Sequence, residues 1–171
     1  MKMILAMLAA ALTMVFVPAL AADDVPETTV SAPAQDTPTA GNNGYFARAS
    51  ELVIRALALI GVNYKYGGNS ADSGLDCSGL VNLVFREVAG KVLPRDSRAM
   101  SNVGDKVDAT GLQPGDLVFF NTLKRPFSHV GIYIGEERFI HAPSRGGEVS
   151  ISNMRDQYWK KRYNGARRVS L

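Results

Sequence analysis

One cysteine and two histidines carry the reactive chemistry of this 171-residue sequence: Cys77, His129 and His141. A thiolate can attack a carbonyl carbon, and an imidazole can take the thiol proton and later protonate the departing amine. A second imidazole can orient the first, as the third member of a catalytic triad does. The set therefore favours thiol hydrolysis if the fold brings the three side chains together.

Cys77 is predicted to begin an amphipathic helix. The apolar positions after it have the spacing of one helix face: Leu80, Val81, Val84, Phe85 and Val88. Asp76 is the expected N-cap, and Gly90 is expected to end the helix. A thiol in the first turn lies near the positive end of the helix dipole, which predicts a lowered thiol pKa. The alternative is that Cys77 is simply a small buried apolar residue.

The elements that must position these residues are predicted to be helices followed by short strands. A first helix is expected over residues 46–60, a loop rich in Gly, Asn, Asp and Ser over 62–74, and a short helix over 97–102. Later β-branched and aromatic runs predict five strands: 116–120, 129–134, 138–141, 149–152 and 167–171. This order indicates an α+β fold in which helices pack on an antiparallel sheet.

Both histidines lie on the hairpin that the second and third of these strands are predicted to form. Alternation places His129 and Gly131 on one face, and His141 shares a face with Phe139 on the partner strand. In the register of a short hairpin both imidazoles line the same side of the sheet. A single strand histidine is more often a half-buried residue with a backbone partner, so the functional argument depends on the combination with Cys77.

The N-terminus is predicted to direct export. Residues 1–22 combine Lys2, an apolar run and an Ala-Leu-Ala pattern, which is typical of a cleavable signal peptide rather than a membrane anchor. Residues 23–43 are rich in Pro, Thr and Ala and predict a disordered linker. With no cysteine near the cleavage site to accept a lipid, we expect a periplasmic or secreted protein without stable membrane insertion. A single cysteine in that setting cannot form an internal disulfide and suits a free thiol.

The remaining domain, residues 44–171, is basic. It has 18 lysine and arginine residues against 12 acidic ones, with denser groups at 124–125, 160–162 and 167–168. Such groups are often only a solvated face, but they also suit an anionic polymer. Nucleic acid fits poorly with export, so a carboxylate-bearing cell-wall polymer is the favoured partner.

Four segments together resemble the motifs of the NlpC family of bacterial cell-wall cysteine peptidases: residues 75–80 (LDCSGL), 115–120 (GDLVFF), 128–135 (SHVGIYIG) and 139–142 (FIHA). The likeness runs from about residue 46 onward, in the family's order and spacing. Residues 158–164 (YWKKRYN) add a likeness to single-domain murein endopeptidases of the Spr type. The resemblance implies a papain-like α+β domain with a sheet of about five to six strands.

The resemblance also implies the catalytic roles. Cys77 would be the nucleophile, His129 the base that pairs with it, and His141 the residue that orients His129. The implied reaction is hydrolysis of an amide bond in peptidoglycan stem peptides or their cross-links, by a monomer that needs no cofactor and no metal.

Three further residues are implied at the substrate. Tyr64, with the nucleophile's own N–H, would stabilise the oxyanion, and Asp76 and Ser78 would contact polar groups of the substrate. The alternatives are an anchoring loop aromatic for Tyr64 and a helix cap alone for Asp76. The sequence departs from the Spr-type pattern in a loop one residue longer after Tyr64, and in Met100 and Ser101 where many relatives carry glutamines. The resemblance therefore does not predict which stem-peptide bond this protein prefers.

Two other functions stay open at this point. A catalytically silent wall-binding module would keep the fold and the residues without turnover. A metallohydrolase would use Cys77, His129 and His141 as ligands with water in the fourth position. The sequence contains no H-E-x-x-H motif, which disfavours the metal.

Overall fold

Four α-helices and eight strands make up the described part of the chain, residues 40–145 and 147–171 of a computed structural model. The helices are α1 (Ala40–Leu57), α2 (Cys77–Ala89), α3 (Ser97–Met100) and α4 (Gln157–Lys160). The strands are β1 (Asn69–Ser70), β2 (Gly74–Leu75), β3 (Asp105–Val107), β4 (Leu117–Phe120), β5 (His129–Gly135), β6 (Arg138–His141), β7 (Ser150–Asn153) and β8 (Tyr163–Arg168). The predicted signal peptide and residues 23–39 of the predicted linker lie outside these residues. Within them, no helix has the length and hydropathy that a bilayer crossing requires.

The bounds of α1 differ from the prediction. The helix begins at Ala40, so residues 40–43 of the predicted linker are helical, and it ends at Leu57 instead of Ile60. Phe46 is 46% exposed, and the helix meets the core through Ala49, Leu52 and Ala56. At the other end, the N–H of Ile60 bonds to the carbonyl of Leu57, which tightens the last turn before the left-handed Gly61.

A six-stranded antiparallel sheet in the order β3-β8-β4-β5-β6-β7 confirms the α+β class. Strands β4 to β7 lie within one residue of their predicted bounds. The short elements β3 and α4 were not predicted because neither has a periodic apolar pattern. The prediction of the last strand at 167–171 is wrong: β8 ends at Arg168, whose guanidinium binds the buried carboxylate of Asp116 at 2.7 Å and holds β8 beside β4.

Each face of the sheet carries an apolar layer. Helices α1 and α2 pack on the first face of the sheet. This layer contains Leu52 of α1, Leu80, Val84 and Phe85 of α2, and Val130 and Ile132 of β5. The second face buries Val118, Phe120, Tyr133, Phe139 and Met154, with Trp159 of α4 packed against them. Burial of each large apolar side chain contributes about 1.5–3 kcal/mol. Cys77 packs against the first layer, whereas alternation along β5 places the His129 side chain on the second face. His129 is the first residue of β5, so its side chain lies at the end of the strand.

Candidate active site

The cysteine is fixed by the start of α2. Oδ1 of Asp76 accepts a hydrogen bond from the N–H of Gly79 at 2.6 Å, and the Asp76 backbone is extended, as an N-cap requires. The left-handed Gly90, with a φ of 65°, closes the other end through its N–H to the carbonyl of Arg86. Both predicted ends of the helix are confirmed.

The predicted loop before α2 contains the β1–β2 hairpin and packs directly on the helix start. A Cβ on Gly79 would overlap the carbonyl oxygen of Gly68, so only glycine permits this approach. The N–H of Gly67 donates to Oδ2 of Asp76 at 2.9 Å. The loop is therefore held against the first turn that carries the thiol.

Asp76 and Ser78 are occupied by local contacts. Arg95 forms an ion pair with Asp76 at 3.4 Å and donates to the carbonyls of Gly67 and Gly68. Oγ of Ser78 lies 2.9 Å from Oδ1 of Asp76 and 3.0 Å from the Arg95 carbonyl, so its proton goes to one of these oxygens. Sequence reasoning did not identify Arg95, which fastens the loop to this helix start.

Tyr64 lies near the N-terminal end of the same loop. Its N–H donates to the carbonyl of Gly147 at 2.7 Å, and its ring packs against the first apolar layer. Burial raises the pKa of Tyr64, and negative charge at Cys77 and Asp76 raises it further. The hydroxyl therefore keeps its proton and remains a hydrogen-bond donor.

The two histidines form a hydrogen-bonded pair. Nε2 of His129 lies 2.8 Å from Nδ1 of His141, and Nε2 of His141 lies 2.9 Å from Oγ of Ser152 on β7. Both side chains lie on the same side of the sheet, as the hairpin register predicted. Ser152 was missed because nothing in its sequence context distinguishes it from other strand serines.

Gly131 makes the histidine pair possible. In the β5–β6 register His141 lies beside Gly131, and a Cβ there would come within 2.6 Å of the Phe139 ring and 3.3 Å of the His141 Cβ. Without that side chain His129 reaches diagonally across the strand pair to His141. The space that Gly131 leaves beside His129 is therefore filled by the second imidazole.

Trp159 covers the imidazole pair. Its ring stacks on His129 with centroids 5.7 Å apart and meets His141 edge-on at 4.9 Å. The two histidines are only 6% and 1% exposed as a result. Among the described residues, no three His, Cys, Asp or Glu side chains are grouped to hold a metal ion.

Burial disfavours charge on each reactive group taken alone. It raises the pKa of the Cys77 thiol to about 11, with partial opposition from backbone hydrogen bonds of Val130, Ser78 and Cys77 itself. It lowers the pKa of His129 to about 4 and that of His141 to about 2, where the charge of His129 adds to the effect. The predicted lowering of the thiol pKa is therefore wrong, because burial and the charge of Asp76 outweigh the backbone hydrogen bonds to the sulfur. A lone thiolate or a lone imidazolium is therefore disfavoured in this site.

A cavity of about 420 Å³, which we call the thiol cavity, opens at this point. Five of the six predicted site residues line it: Tyr64, Asp76, Cys77, Ser78 and His129. The sixth, His141, lies behind His129, hydrogen-bonded to it. The structure thus places the thiol and one imidazole on a common surface and the second imidazole in the core beneath.

A model of the NlpC/P60 family matches residues 61–168. The chain belongs to the NlpC/P60 family. The matched range contains all six predicted site residues. The fold is similar to the crystal structure of an NlpC/P60 family protein from Bacillus cereus ATCC 10987, with a TM-score of 0.67 and 34% identity over 72% of this chain and 40% of that chain.

Two curated relatives are more similar in sequence. The chain is 49% identical over 109 residues to the murein DD-endopeptidase MepS/murein LD-carboxypeptidase of Escherichia coli (strain K12), covering 64% of this chain and 56% of that protein. It is 46% identical over 118 residues to the γ-DL-glutamyl hydrolase of Bacillus subtilis (strain 168), covering 68% of this chain and 28% of that protein. The match therefore spans 56% or less of either relative.

Proposed function

We propose that this NlpC/P60 protein is a cysteine peptidase that hydrolyses amide bonds in peptidoglycan stem peptides or their cross-links. The observation that carries the proposal is that Cys77 and His129 line one cavity, with His141 hydrogen-bonded behind the base. The names of the two relatives, a murein endopeptidase and a γ-DL-glutamyl hydrolase, support the class of bond.

The proton path follows from the hydrogen bonds of the two histidines. Neutral His129 holds its proton on Nε2 and donates it to Nδ1 of His141, which in turn donates from Nε2 to Oγ of Ser152. Nδ1 of His129 is then free to accept the Cys77 proton as the sulfur attacks the carbonyl carbon. The resulting imidazolium compensates the developing negative charge in the buried site.

The later steps return each proton. The Tyr64 hydroxyl and the N–H of Cys77 stabilise the oxyanion. The C–N bond breaks as Nδ1 of His129 protonates the departing amine, which leaves the acyl group on the sulfur. Water then gives one proton to the same nitrogen and adds to the thioester, and Cys77 regains its proton as the acid product leaves. Asp76 and Ser78 line the thiol cavity that takes the acyl half, and Oγ of Ser78 can still accept a hydrogen bond from it.

The setting of the enzyme is part of the proposal. The domain acts outside the cytoplasm, periplasmic or secreted, after removal of residues 1–22, and it works as a monomer without a cofactor. The excess of 18 basic over 12 acidic residues in 44–171 attracts the anionic wall polymer.

Digestion of purified sacculi tests the proposal. Wild-type protein is expected to release new muropeptides, identified by mass spectrometry, and Cys77→Ala is expected to release none. A Thr110→Ala variant, changed at an exposed residue outside the thiol cavity, controls for preparation and should behave as wild type. Identical profiles from wild type and Cys77→Ala, or binding to sacculi without any cleavage, would overturn the proposal.

A further inference from the structure

A second cavity borders His129 without reaching Cys77. Its volume is about 680 Å³, and we call it the basic cavity because four cationic residues line it: Lys124, Arg145, Lys161 and Arg162. The rings of Tyr158 and Trp159 also line it, and His129 lines both this cavity and the thiol cavity. The base of the proposed reaction is therefore shared between two differently built surfaces.

The charges of the basic cavity are not neutralised by the protein around it. Its lining includes no acidic residue. In residues 40–145 and 147–171 none of its four cations belongs to an ion pair. Arg162 is held in place by the Tyr158 ring, 3.9 Å from its guanidinium carbon, and donates to the Tyr158 carbonyl at 2.9 Å. The cavity therefore presents a positive potential beside the base.

The direction of the chemistry assigns this cavity to one half of the substrate. The acyl half stays bonded to Cys77, so it must occupy the thiol cavity with Tyr64 and Asp76. The amine half receives its proton from His129 and leaves. It must therefore extend past His129, and the surface available there is the basic cavity.

We propose that the basic cavity is an anion subsite that binds a free carboxylate on the amine-side residue of the scissile bond. The inference rests on the proposed function and adds the chemical class of the leaving half. Guanidinium groups bind carboxylates in a bidentate manner, and Arg145 and Arg162 supply two of them. Trp159 and Tyr158 offer an apolar wall to the aliphatic part of the same residue.

Matched substrates test the subsite. Two synthetic stem peptides share the bond identified in the sacculus digest, and the amine-side residue ends in either a free carboxylate or a carboxamide. Wild type is expected to cleave the carboxylate peptide with kcat/KM about tenfold higher, as loss of a charge-assisted hydrogen bond predicts. This preference should shrink as salt is added, because the cations are largely exposed.

Paired charge variants identify the residues. Arg145→Gln with Lys161→Gln should remove the preference by lowering kcat/KM for the carboxylate peptide to that for the carboxamide peptide. Lys106→Gln with Arg155→Gln, the same loss of charge at exposed residues outside both cavities, should keep it. Equal rates for both peptides with wild type, or an unchanged preference in the first variant, overturn the subsite while the peptidase proposal stands.

A binding measurement separates the two proposals. The full-length Cys77→Ala chain is titrated by calorimetry with the free amine-side residue in its carboxylate and carboxamide forms. Tighter binding of the carboxylate, lost in the Arg145→Gln and Lys161→Gln background, supports the subsite even if wild type cleaves nothing. If the carboxylate and carboxamide forms bind equally or not at all, and both peptides are cleaved at equal rates, the anion subsite is ruled out.

Discussion

The sulfur side and the imidazole side of the proposed proton path are held by different kinds of structure. Cys77 is positioned by neighbouring segments: the Asp76 cap and the close approach of Gly68 to Gly79. The imidazoles are positioned by long-range contacts, since β5, β6 and β7 supply His129, His141 and Ser152, and α4 supplies Trp159. Substitutions on the sulfur side should therefore lower the stability of the fold. Substitutions on the imidazole side should change the rate of proton transfer.

The largest effect is expected at the base. His129→Ala should lower kcat about 1,000-fold, because it removes the imidazole that takes the thiol proton in the proposed reaction. The thiol should then titrate without an imidazole to share its proton, and burial keeps its pKa above the ordinary value. The alkylation rate with iodoacetamide, measured against pH, should therefore rise at lower pH in wild type than in the variant.

The chain's single cysteine makes this measurement specific, and Cys77→Ala gives the blank. The midpoint of urea unfolding checks that His129→Ala still folds. Superimposable alkylation profiles would mean that His129 does not share the thiol proton.

The imidazole side should also make the protein sensitive to acid. Folding lowers the pKa of His129 from 6.5 to about 4, so between these values the unfolded chain binds the additional proton. Stability is therefore fully present above pH 6.5 and falls as pH drops toward 4, by about 3 kcal/mol for this residue. His141, with a pKa lowered to about 2, acts in the same direction.

Urea unfolding across this pH range measures the effect. The double variant His129→Gln and His141→Gln should show a smaller loss of unfolding free energy than wild type. Equal slopes would mean that carboxylates, not the buried imidazoles, determine the acid sensitivity.

A smaller effect is expected at the orienting residue. His141→Leu should lower kcat about 100-fold with little change in KM, because His129 loses the acceptor that fixes its tautomer. His141→Asn should recover part of this loss, since its amide oxygen can accept from Nε2 of His129. If His141 only packed beneath Trp159, His141→Leu would retain more activity than His141→Asn.

The same contrast explains what could be predicted from the sequence. The helix from Cys77 to Ala89 and its two caps follow from local spacing, and strands β4 to β7 follow from composition and alternation. The identity of the residue behind His141 could not be predicted, because the β6–β7 register that selects Ser152 depends on distant pairing. The sign of the thiol pKa shift was missed because burial depends on the whole fold, whereas the helix dipole is a local property.

The smallest effect is expected on the sulfur side, where the test is stability. Asp76→Ala should lower the free energy of unfolding by about 1–2 kcal/mol, because it removes the N-cap bond to Gly79 and the contacts to Gly67 and Arg95. Asp76→Asn should keep much of the cap. The matched control is Asp96→Ala, which removes an exposed cap from the four-residue α3 and should cost less. Urea unfolding ranks the three variants. If Asp96→Ala costs as much as Asp76→Ala, the contacts of the Asp76 carboxylate to Gly67 and Arg95 add nothing to stability.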